Sequence, residues 1–473
     1  MSKLIKTDIC VIGAGSGGLS VAAGAVQMGA RVVLIEGGEM GGDCLNTGCV
    51  PSKALIAAAK AAHAQRSGAE FGIAAVEPQI DFGAVKDHVR RVIDQIAPVD
   101  SQERFENLGC TVLREWARFV APDRVEAGAF QIKARRFVIA TGSRAFIPPI
   151  PGLAEVTFLT NETIFDLREK PDHLIVLGGG PIGLEMAQAH RRLGCKVTVI
   201  EATKAFGRED PELAAVALSR LRHEGVEILE DSPASRVMQS DGKIIVWLKD
   251  GTHVEGSHLL VATGRRVDLS GLNLDAAKVE FNARGVVVDA RLRSSNRKVY
   301  AVGDAAGGLQ FTHLAGYHAG VVIRQVVLGL PARAVTSHLP RVTYCDPELA
   351  QVGLTEAEAR DRFGAGLTVL RQDFHHNDRA IAGGATSGMI KLMVVKGRPV
   401  GVGIVGAGAG ELIGLWALAL SAKMKLSTVA GMIAPYPTMG EISKRAAGAY
   451  FSPQLFDNPM VKQAVRLIQK LVP

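Results

Sequence analysis

Two cysteines in a glycine-rich loop are the residues of this 473-residue chain best suited to chemistry. Cys44 and Cys49 lie five positions apart, and the loop continues through Pro51 into an alanine-rich run over residues 54–64. Proline favours the first turn of a helix and alanine its interior, so a helix is predicted to begin just after Cys49. The positive end of that helix would stabilise a thiolate and lower the pKa of Cys49. The pattern predicts a thiol pair that exchanges two electrons.

Two other uses of this cysteine pair stay open, a zinc site and a purely structural disulfide. Metal-binding pairs usually have closer spacing and need two further ligands, and no second cluster of Cys or His is found in the sequence. No metal site is therefore predicted. The remaining cysteines are isolated and do not indicate a secreted disulfide framework. They are Cys10, Cys110, Cys195 and Cys345.

A second pattern occurs twice along the chain, as strand, glycine turn, helix, strand and acid. The first copy starts with a strand-like segment over 8–12 and ends at Glu36, and the second starts with 174–177 and ends at Glu201. In both copies the acid lies at the same distance past the third glycine. The glycines are Gly13, Gly15 and Gly18 in the first copy and Gly178, Gly180 and Gly183 in the second.

Dinucleotide binding explains this spacing. The first glycine permits a tight turn, the second lets the backbone approach a pyrophosphate, and the third lets the helix pack on the strand. The helix N-terminus faces the phosphates, and the acid accepts hydrogen bonds from ribose hydroxyls. Two copies in register predict two dinucleotides, a flavin and a nicotinamide. Glu201 favours NADH because it would repel a 2′-phosphate, while Lys204 and Arg208 leave NADPH open.

Three further apolar segments end in small or acidic residues and fit the same plan. They end at Thr141–Gly142, at Gly264 and at Gly303–Asp304, and each on its own is equally an ordinary strand end. A carboxylate at such a strand end can bind a ribityl hydroxyl. The sequence predicts an α/β protein with two Rossmann-like dinucleotide-binding domains, one for FAD and one for NAD(P).

These residues together resemble the FAD-dependent pyridine nucleotide–disulfide oxidoreductases, over essentially the whole chain. The Pro51-Ser-Lys53 sequence after Cys49 is similar to the dihydrolipoamide dehydrogenase and mercuric reductase branch. The resemblance implies that Cys49 is the charge-transfer thiol facing the flavin and that Cys44 is the interchange thiol that meets the substrate. It also implies an ion pair between Lys53 and Glu185 near the flavin N5.

The same resemblance assigns further cofactor residues, domains and a partner. Asp304 would hold the ribityl chain, and Ala315 would bring backbone N–H groups to the pyrimidine edge of the flavin. A homodimer is implied, with each active site completed by the C-terminal domain of the partner. The implied domains are FAD-binding at 1–148 and 267–336, NAD(P)-binding at 149–266, and an α+β dimerisation domain at 337–473. The predicted cofactor-binding residues are Gly13, Gly15, Gly18, Glu36, Gly42, Thr141, Gly142, Gly178, Gly180, Gly183, Glu201, Gly264, Gly303, Asp304 and Ala315.

One motif departs from the family pattern. Dihydrolipoamide dehydrogenase and glutathione reductase carry His-Pro-Thr followed by a Glu, whereas this chain has Tyr436-Pro-Thr-Met-Gly-Glu441. Tyr436 and Glu441 are the predicted catalytic residues here. A phenol, with its ordinary pKa near 10, is a poor base at neutral pH but can donate a proton or a hydrogen bond. This substitution argues against efficient lipoamide or glutathione chemistry.

The principal hypothesis is an NAD(P)H-dependent FAD enzyme that reduces a small-molecule disulfide or thiol-bound acceptor through Cys44 and Cys49. Tyr436 is similar to mercuric reductase, as are residues 187–189 and 378–380, yet no cysteine follows Cys345 to deliver Hg(II) to the inner thiols. Three alternatives stay open. They are a reductase of Hg(II) or another thiophilic metal ion, a quinone or dye reductase, and a non-enzymatic flavin redox sensor.

The amino-acid composition indicates which classes of ligand and partner the protein binds. The formal charge is +7 and the sequence pI is about 9.1, but the Lys and Arg residues are scattered, which favours phosphate-bearing ligands over nucleic acid. The most apolar stretch, 400–420, contains Glu411 and many glycines, so no membrane insertion is predicted. No signal-like segment precedes the first predicted strand, and a cytoplasmic location is expected.

Overall fold

The computed structural model describes residues 3–472. Contacts divide the chain into two compact units. The first unit comprises the chain up to Ala69, then Ala74–Ala202 and Ile228–Val335. The second unit comprises Glu70–Ile73, Thr203–Glu227 and the chain from Thr336 onward. The four-part domain division drawn from the sequence stays a prediction.

The elements are numbered in chain order. The strands are β1 Lys3–Ile12, β2 Val32–Ile35, β3 Thr111–Leu113, β4 Ala117–Ala121, β5 Arg124–Ala127, β6 Phe130–Ile139, β7 Arg144–Ala145, β8 His173–Leu177, β9 Lys196–Ile200, β10 Glu227–Leu229, β11 Ala234–Ser240, β12 Lys243–Leu248, β13 His253–Gly256, β14 His258–Val261, β15 Arg265–Arg266, β16 Phe281–Asn282, β17 Gly285–Val286, β18 Val299–Ala301, β19 Pro340–Thr343, β20 Glu348–Gly353, β21 Leu367–Asp373, β22 Met389–Val395 and β23 Arg398–Gly406. The helices are α1 Ser16–Gln27, α2 Gly42–Asn46, α3 Cys49–Arg66, α4 Phe82–Asp100, α5 Gln102–Asn107, α6 Pro181–Arg192, α7 Pro211–His223, α8 Thr312–Val326, α9 Glu356–Phe363, α10 Asp378–Ala382, α11 Ala409–Ser421, α12 Leu426–Ala430, α13 Glu441–Ala449, α14 Ser452–Phe456 and α15 Pro459–Leu471.

The first unit contains two sheets with parallel centres, each built on one copy of the repeated motif. In the first sheet β1 pairs in parallel with β2 and β6, and β18 adds to β6, while β4 and β5 form an antiparallel extension. In the second sheet β8 pairs in parallel with β9 and β14. The apolar strands are buried on both faces, as a parallel sheet requires.

Each glycine turn brings helix and strand closer than any side chain would permit. A Cβ atom on Gly18 would stand 1.8 Å from the carbonyl oxygen of Gly13, and one on Gly183 would stand 2.0 Å from that of Gly178. Gly13 and Gly178 both have positive φ angles, of 104° and 110°. The predicted Rossmann-like class is confirmed by these two sheets and their turns.

The second unit is built on a five-stranded antiparallel sheet in the order β19-β20-β23-β22-β21. Its core contains the fully buried Trp416 of α11, whose indole N–H donates to Ser443 Oγ of α13 at 3.1 Å. Helix α7 also belongs to this unit, and Lys391 of β22 reaches Asp210 at the start of α7 at 2.9 Å. Within residues 3–472, no helix is long and apolar enough to cross a membrane.

Candidate active site

The two cysteines lie on consecutive helices, one short and one long. Cys44 falls inside α2, which follows a glycine turn, and Cys49 is the first residue of α3. Helix α3 therefore begins two residues earlier than the predicted start at Pro51. Gly48 separates the two helices, and a Cβ atom there would stand 2.8 Å from the carbonyl oxygen of Asp43. The consequence is that the Cys49 thiol lies in the first turn of a helix of 18 residues.

The neighbours of the two thiols favour opposite protonation states. Both cysteines are in the reduced form, Cys44 half-buried and Cys49 exposed. A hydrogen bond from Cys44 lowers the pKa of Cys49 to about 6, against partial desolvation of the thiol by nearby protein atoms, and Thr312 and the charge of Lys53 lower it further. The Thr312 hydroxyl lies 3.3 Å from Cys49 Sγ. The same thiol–thiol hydrogen bond, together with burial, raises the pKa of Cys44, so the negative charge belongs on Cys49.

An ion pair links the two helices behind the thiols. Lys53 Nζ of α3 lies 2.8 Å from Glu185 Oε2 of α6. Glu185 is buried, with 5% of its surface exposed, whereas the Lys53 side chain is about one-third exposed. The pair therefore joins the helix that carries Cys49 to the first helix of the second dinucleotide motif.

A chain of hydrogen bonds connects the cysteine loop to Asp304. The Ser143 hydroxyl donates to Asp304 Oδ2 at 2.6 Å, and Arg265 Nε donates to that hydroxyl at 2.8 Å. The other arm of the Arg265 guanidinium lies 3.2 Å from Asp43 Oδ2, and the amide of Asn161 donates to Asp43 Oδ1 at 2.8 Å. Burial raises the pKa of Asp304. These contacts fix the position of Asp43, the residue before Cys44, relative to Asp304, the predicted ribityl-binding carboxylate.

At the first glycine turn, two backbone segments approach each other too closely for side chains. A Cβ atom on Gly42 would stand 2.8 Å from the Cα of Gly15, and Gly42 has a φ of 60°. Helix α1 starts at Ser16, directly after Gly15, and its N-cap residue makes no side-chain hydrogen bond to the first turn. The Glu36 carboxylate accepts from the N–H groups of Ala14 at 2.5 Å and Gly38 at 2.7 Å. A helix N-terminus beside two close glycines fits the pyrophosphate of FAD.

The second glycine turn has open space beside its middle glycine. Nothing lies within 4 Å of the position that a Cβ atom on Gly180 would take, and α6 starts there without a side-chain cap. The Glu201 carboxylate accepts from the N–H of Gly179 at 2.7 Å, which places it at the turn. The space beside Gly142 and Gly264 is also open. These residues fit a second dinucleotide, the nicotinamide cofactor.

The predicted flavin residues Gly303 and Ala315 lie side by side. Gly303 has a φ of 61°, and a Cβ atom on it would stand 2.9 Å from the Cβ of Ala315. Ala315 lies in the first turn of α8, and Thr312 begins that helix. Thr141 lies between β6 and Gly142, at the end of the strand that pairs with β1.

Tyr436 and Glu441 lie in the second unit. Tyr436 is 69% exposed, and its hydroxyl donates to Asp378 Oδ2 at 3.0 Å. This hydrogen bond to a carboxylate raises the pKa of Tyr436 above its ordinary value, so the phenol stays protonated. Glu441 begins α13, and its carboxylate accepts from the N–H of Thr438 at 3.5 Å. The other four predicted catalytic side chains lie in the first unit.

Four residues of this region were missed by the sequence reasoning: Asp43, Ser143, Arg265 and Thr312. Ser143 and Arg265 directly follow Gly142 and Gly264, and Asp43 directly precedes Cys44. Adjacency to predicted site residues was therefore the available signal for three of them. Thr312 had none, since its contact with Cys49 spans 263 positions. Among residues 3–472, no group of three or more His, Cys, Asp or Glu could hold a metal ion.

Comparison with known families identifies the class of protein. The model for pyridine nucleotide-disulphide oxidoreductases matches residues 7–319, and the model for their dimerisation domain matches residues 339–447. The chain belongs to this family of FAD-dependent oxidoreductases. The predicted family, fold class and enzyme class are thereby confirmed.

Individual relatives fall into two groups. The mercuric reductase of Streptomyces lividans is 34% identical over 458 residues, which cover 94% of this chain and 96% of that protein. The mercuric reductase of Acidithiobacillus ferrooxidans is 37% identical over 456 residues, covering 94% and 83%. Among solved structures, the HOCl-induced flavoprotein disulfide reductase RclA from Escherichia coli aligns with a TM-score of 0.84 at 27% identity, covering 93% of this chain and 99% of that chain. LpdA from Mycobacterium tuberculosis aligns with a TM-score of 0.87 at 25% identity, covering 94% and 99%.

Proposed function

We propose that this protein uses NAD(P)H and FAD to reduce a small-molecule disulfide or a thiol-bound acceptor through Cys44 and Cys49. The observation that carries the proposal is the division of charge between the two thiols. A hydrogen-bonded pair with a low-pKa thiolate at a helix N-terminus and a protonated neighbour suits thiol–disulfide exchange.

The chemistry proceeds as a relay of one electron pair. When bound, the flavin supplies the two-electron link between the nicotinamide and the cysteine pair. Cys44 passes its proton to the Cys49 thiolate along their hydrogen bond and attacks one sulfur of the acceptor as a thiolate, which forms a mixed disulfide and expels the first substrate sulfur. That sulfur takes up the proton held by Cys49 and leaves as a thiol. The Cys49 thiolate then attacks Cys44, which releases the second substrate sulfur as a thiolate and closes the Cys44–Cys49 disulfide. Tyr436 would donate a hydrogen bond to the departing sulfur, with Glu441 beside it.

Several contacts support the assignment of the cofactor residues. The uncapped N-terminus of α1, the close approach of Gly15 and Gly42, and the buried Asp304 fit FAD. The ion pair of Lys53 and Glu185 fits a position near the reacting edge of the flavin, because it lies on the helix that carries Cys49. Glu201 favours NADH through repulsion of a 2′-phosphate. A higher kcat/KM for NADH than for NADPH is the expected result.

The experiment is an anaerobic acceptor panel with the purified holoenzyme. The acceptors are lipoamide, glutathione disulfide, other small disulfides, Hg(II) with excess thiol, and a quinone. NAD(P)H oxidation is followed for the wild type, for Cys44→Ser, and for Cys110→Ser as a cysteine control outside the loop. We expect turnover of a disulfide that Cys44→Ser abolishes and Cys110→Ser retains, with quinone reduction unchanged in both variants.

Two outcomes would replace the proposal. Turnover of the quinone alone, unaffected by Cys44→Ser, would make the protein a quinone reductase in which the cysteine pair is idle. A lack of steady turnover with every acceptor, together with reversible oxidation of the pair, would favour a flavin redox sensor.

Reduction of Hg(II) or another thiophilic metal ion is the second candidate, because two mercuric reductases match nearly the whole chain. The related RclA has also been solved as a Cu(II) complex. In this case both thiolates would bind the metal ion, and no mixed disulfide with a substrate would form. Two results together would establish this candidate. NAD(P)H oxidation would depend on the metal ion while no disulfide is reduced, and it would be lost when either cysteine is replaced.

We further propose a cytoplasmic location. Cys10, Cys110 and Cys195 are buried free thiols, which suits a reducing compartment. Labelling of intact cells with a membrane-impermeant probe is expected to leave the protein unmodified, and labelling of lysed cells is expected to modify it.

A further inference from the structure

Helix α15, Pro459–Leu471, is amphipathic but buries nothing. Asn458 caps it by accepting from the N–H of Met460 at 3.0 Å, and Pro459 occupies its first turn, so the helix has a well-formed start. Large apolar side chains remain in water along it, with Met460 76%, Leu467 58% and Leu471 73% exposed. Such a surface is normally covered by something.

The two faces of α15 are cleanly separated. At 100° per residue, the apolar side chains fall on one side of the helix and the polar ones on the other. Lys462, Arg466 and Lys470 follow one another at intervals of four and share the centre of the polar face. The sequence 459–472 contains no Asp or Glu. The apolar face consists of Met460, Val461, Val465, Leu467, Ile468 and Leu471.

The charge pattern decides between a lipid surface and another protein helix. Helices that pair with each other usually carry charges of both signs beside the apolar seam, whereas α15 carries only positive charge. A basic polar face opposite an apolar face is the arrangement that lies flat in the interface of an anionic membrane. The helix has 13 residues, too few to span a bilayer. It also lies beyond residue 447, where the match to the dimerisation domain ends.

We propose that α15 is a membrane-surface anchor that binds anionic phospholipid. Its apolar face enters the boundary between headgroups and acyl chains, and its three cations contact lipid phosphates. The preceding α14 adds Phe456, which is 67% exposed, to the same end of the chain. The proposal is independent of the electron acceptor, because none of these residues belongs to the candidate active site.

The test is sedimentation of the holoenzyme with vesicles of phosphatidylcholine alone or of phosphatidylcholine with phosphatidylglycerol. Two variants address the two faces. Leu467→Glu/Leu471→Glu destroys the apolar face, and Lys462→Gln/Arg466→Gln/Lys470→Gln removes the charge. Leu330→Glu, at an exposed leucine of the first unit, is the matched control. Because α15 buries nothing, all variants should keep their FAD and their NAD(P)H oxidation.

We expect binding to the anionic vesicles only, weakened by salt and unchanged in the Leu330→Glu control. Loss of the three cations is expected to weaken partitioning on the order of 100-fold, and the double glutamate variant should not bind. Absence of binding to anionic vesicles would overturn the proposal, as would equal binding to neutral vesicles. A wild-type mass above that of a dimer that falls in the double glutamate variant, without vesicle binding, would assign the face to self-association instead.

Discussion

The protonation state of Cys49 depends on a few named contacts, and Thr312 is the one that can be removed without touching a cysteine. Thr312→Val keeps the shape and deletes the hydroxyl 3.3 Å from Cys49 Sγ. Since a hydrogen bond to a charged group is worth about 1.5–3 kcal/mol, the pKa of Cys49 should rise from about 6 by about one unit or more. The pKa of Cys49 rises because the lost hydrogen bond stabilised its thiolate.

The measurement for Thr312→Val is a pH titration of the thiolate–flavin charge-transfer absorbance in the two-electron-reduced holoenzyme. The midpoint should move to higher pH, so that less thiolate is present at neutral pH. Thr312→Ser, which keeps the hydroxyl, serves as the control and should titrate like the wild type. An unchanged midpoint in Thr312→Val would show that Cys44 and Lys53 alone set the charge.

Tyr436 is the residue at which this chain leaves the pattern of dihydrolipoamide dehydrogenase. Its hydroxyl donates to Asp378, and its raised pKa leaves it without basic character at neutral pH. Tyr436→His would supply a base with an ordinary pKa near 6.5, and general base catalysis is worth about 100-fold or more. We therefore expect a gain of lipoamide-dependent NADH oxidation by about that factor.

Tyr436→Phe separates the two roles of the side chain, because it removes the hydroxyl and adds no base. It should gain nothing with lipoamide. Should Tyr436→His also gain nothing while keeping its flavin, the shape of the acceptor pocket rather than the missing base would limit lipoamide reduction.

At the scale of single residues, spacing along the sequence predicts those parts of the site whose residues lie close together in the chain. The glycines of both turns and the cysteine pair act within short segments, and the predicted turns formed. Arg265 instead contacts Ser143 across 122 positions, and Ser143 contacts Asp304 across 161. Contacts of this length are made by the packing of the sheets, so no spacing rule reveals them.

At the scale of elements, the cysteine loop differs from its prediction for a physical reason. The sequence placed a loop before a helix starting near Pro51, but Gly41 and Gly42 turn the chain so tightly that α2 forms at once. Helix α2 ends at Asn46, and Gly48 is the N-cap residue of α3, which starts at Cys49. A proline in the first turn predicts that a helix starts nearby, but it defines the first residue of the helix only to within one or two positions.

In the second unit, Lys391 of β22 joins the sheet to the start of α7. Its side chain is 3% exposed, and its ammonium lies 2.9 Å from Asp210, 2.8 Å from Glu212 and 2.5 Å from Glu356. Lys391→Met would leave the buried Asp210 carboxylate without its cation, which typically costs about 3–5 kcal/mol. We expect a loss of that size in the free energy of unfolding, measured by urea denaturation.

An exposed pair provides the comparison for Lys391. Lys243 lies 3.3 Å from Glu255, and both side chains are largely exposed. Lys243→Met should change the free energy of unfolding by about 1 kcal/mol or less. Similar losses in the two variants would mean that the Lys391 cluster is hydrated in solution and does not hold α7 against the sheet.

At the scale of the whole molecule, the candidate catalytic residues are divided between the two units of the chain. The first unit contains Cys44, Cys49, Lys53 and Glu185. The second unit contains Tyr436 and Glu441, together with the matched dimerisation domain. In a twofold homodimer the second unit of one subunit can serve the first unit of the other. We propose that each active site is completed in this way.

Mixed dimers test the sharing of sites directly. Neither Cys44→Ser nor Glu441→Gln homodimers would have a complete site, so both should fail to reduce the disulfide acceptor. Coexpressed and separately tagged subunits form heterodimers in which one site combines the intact cysteines of one chain with Glu441 of the partner subunit. That site should restore about half of the wild-type rate per purified heterodimer, since one of two symmetric sites is intact. If each site were built within a single chain, both sites of the heterodimer would carry one lesion, and no activity would return.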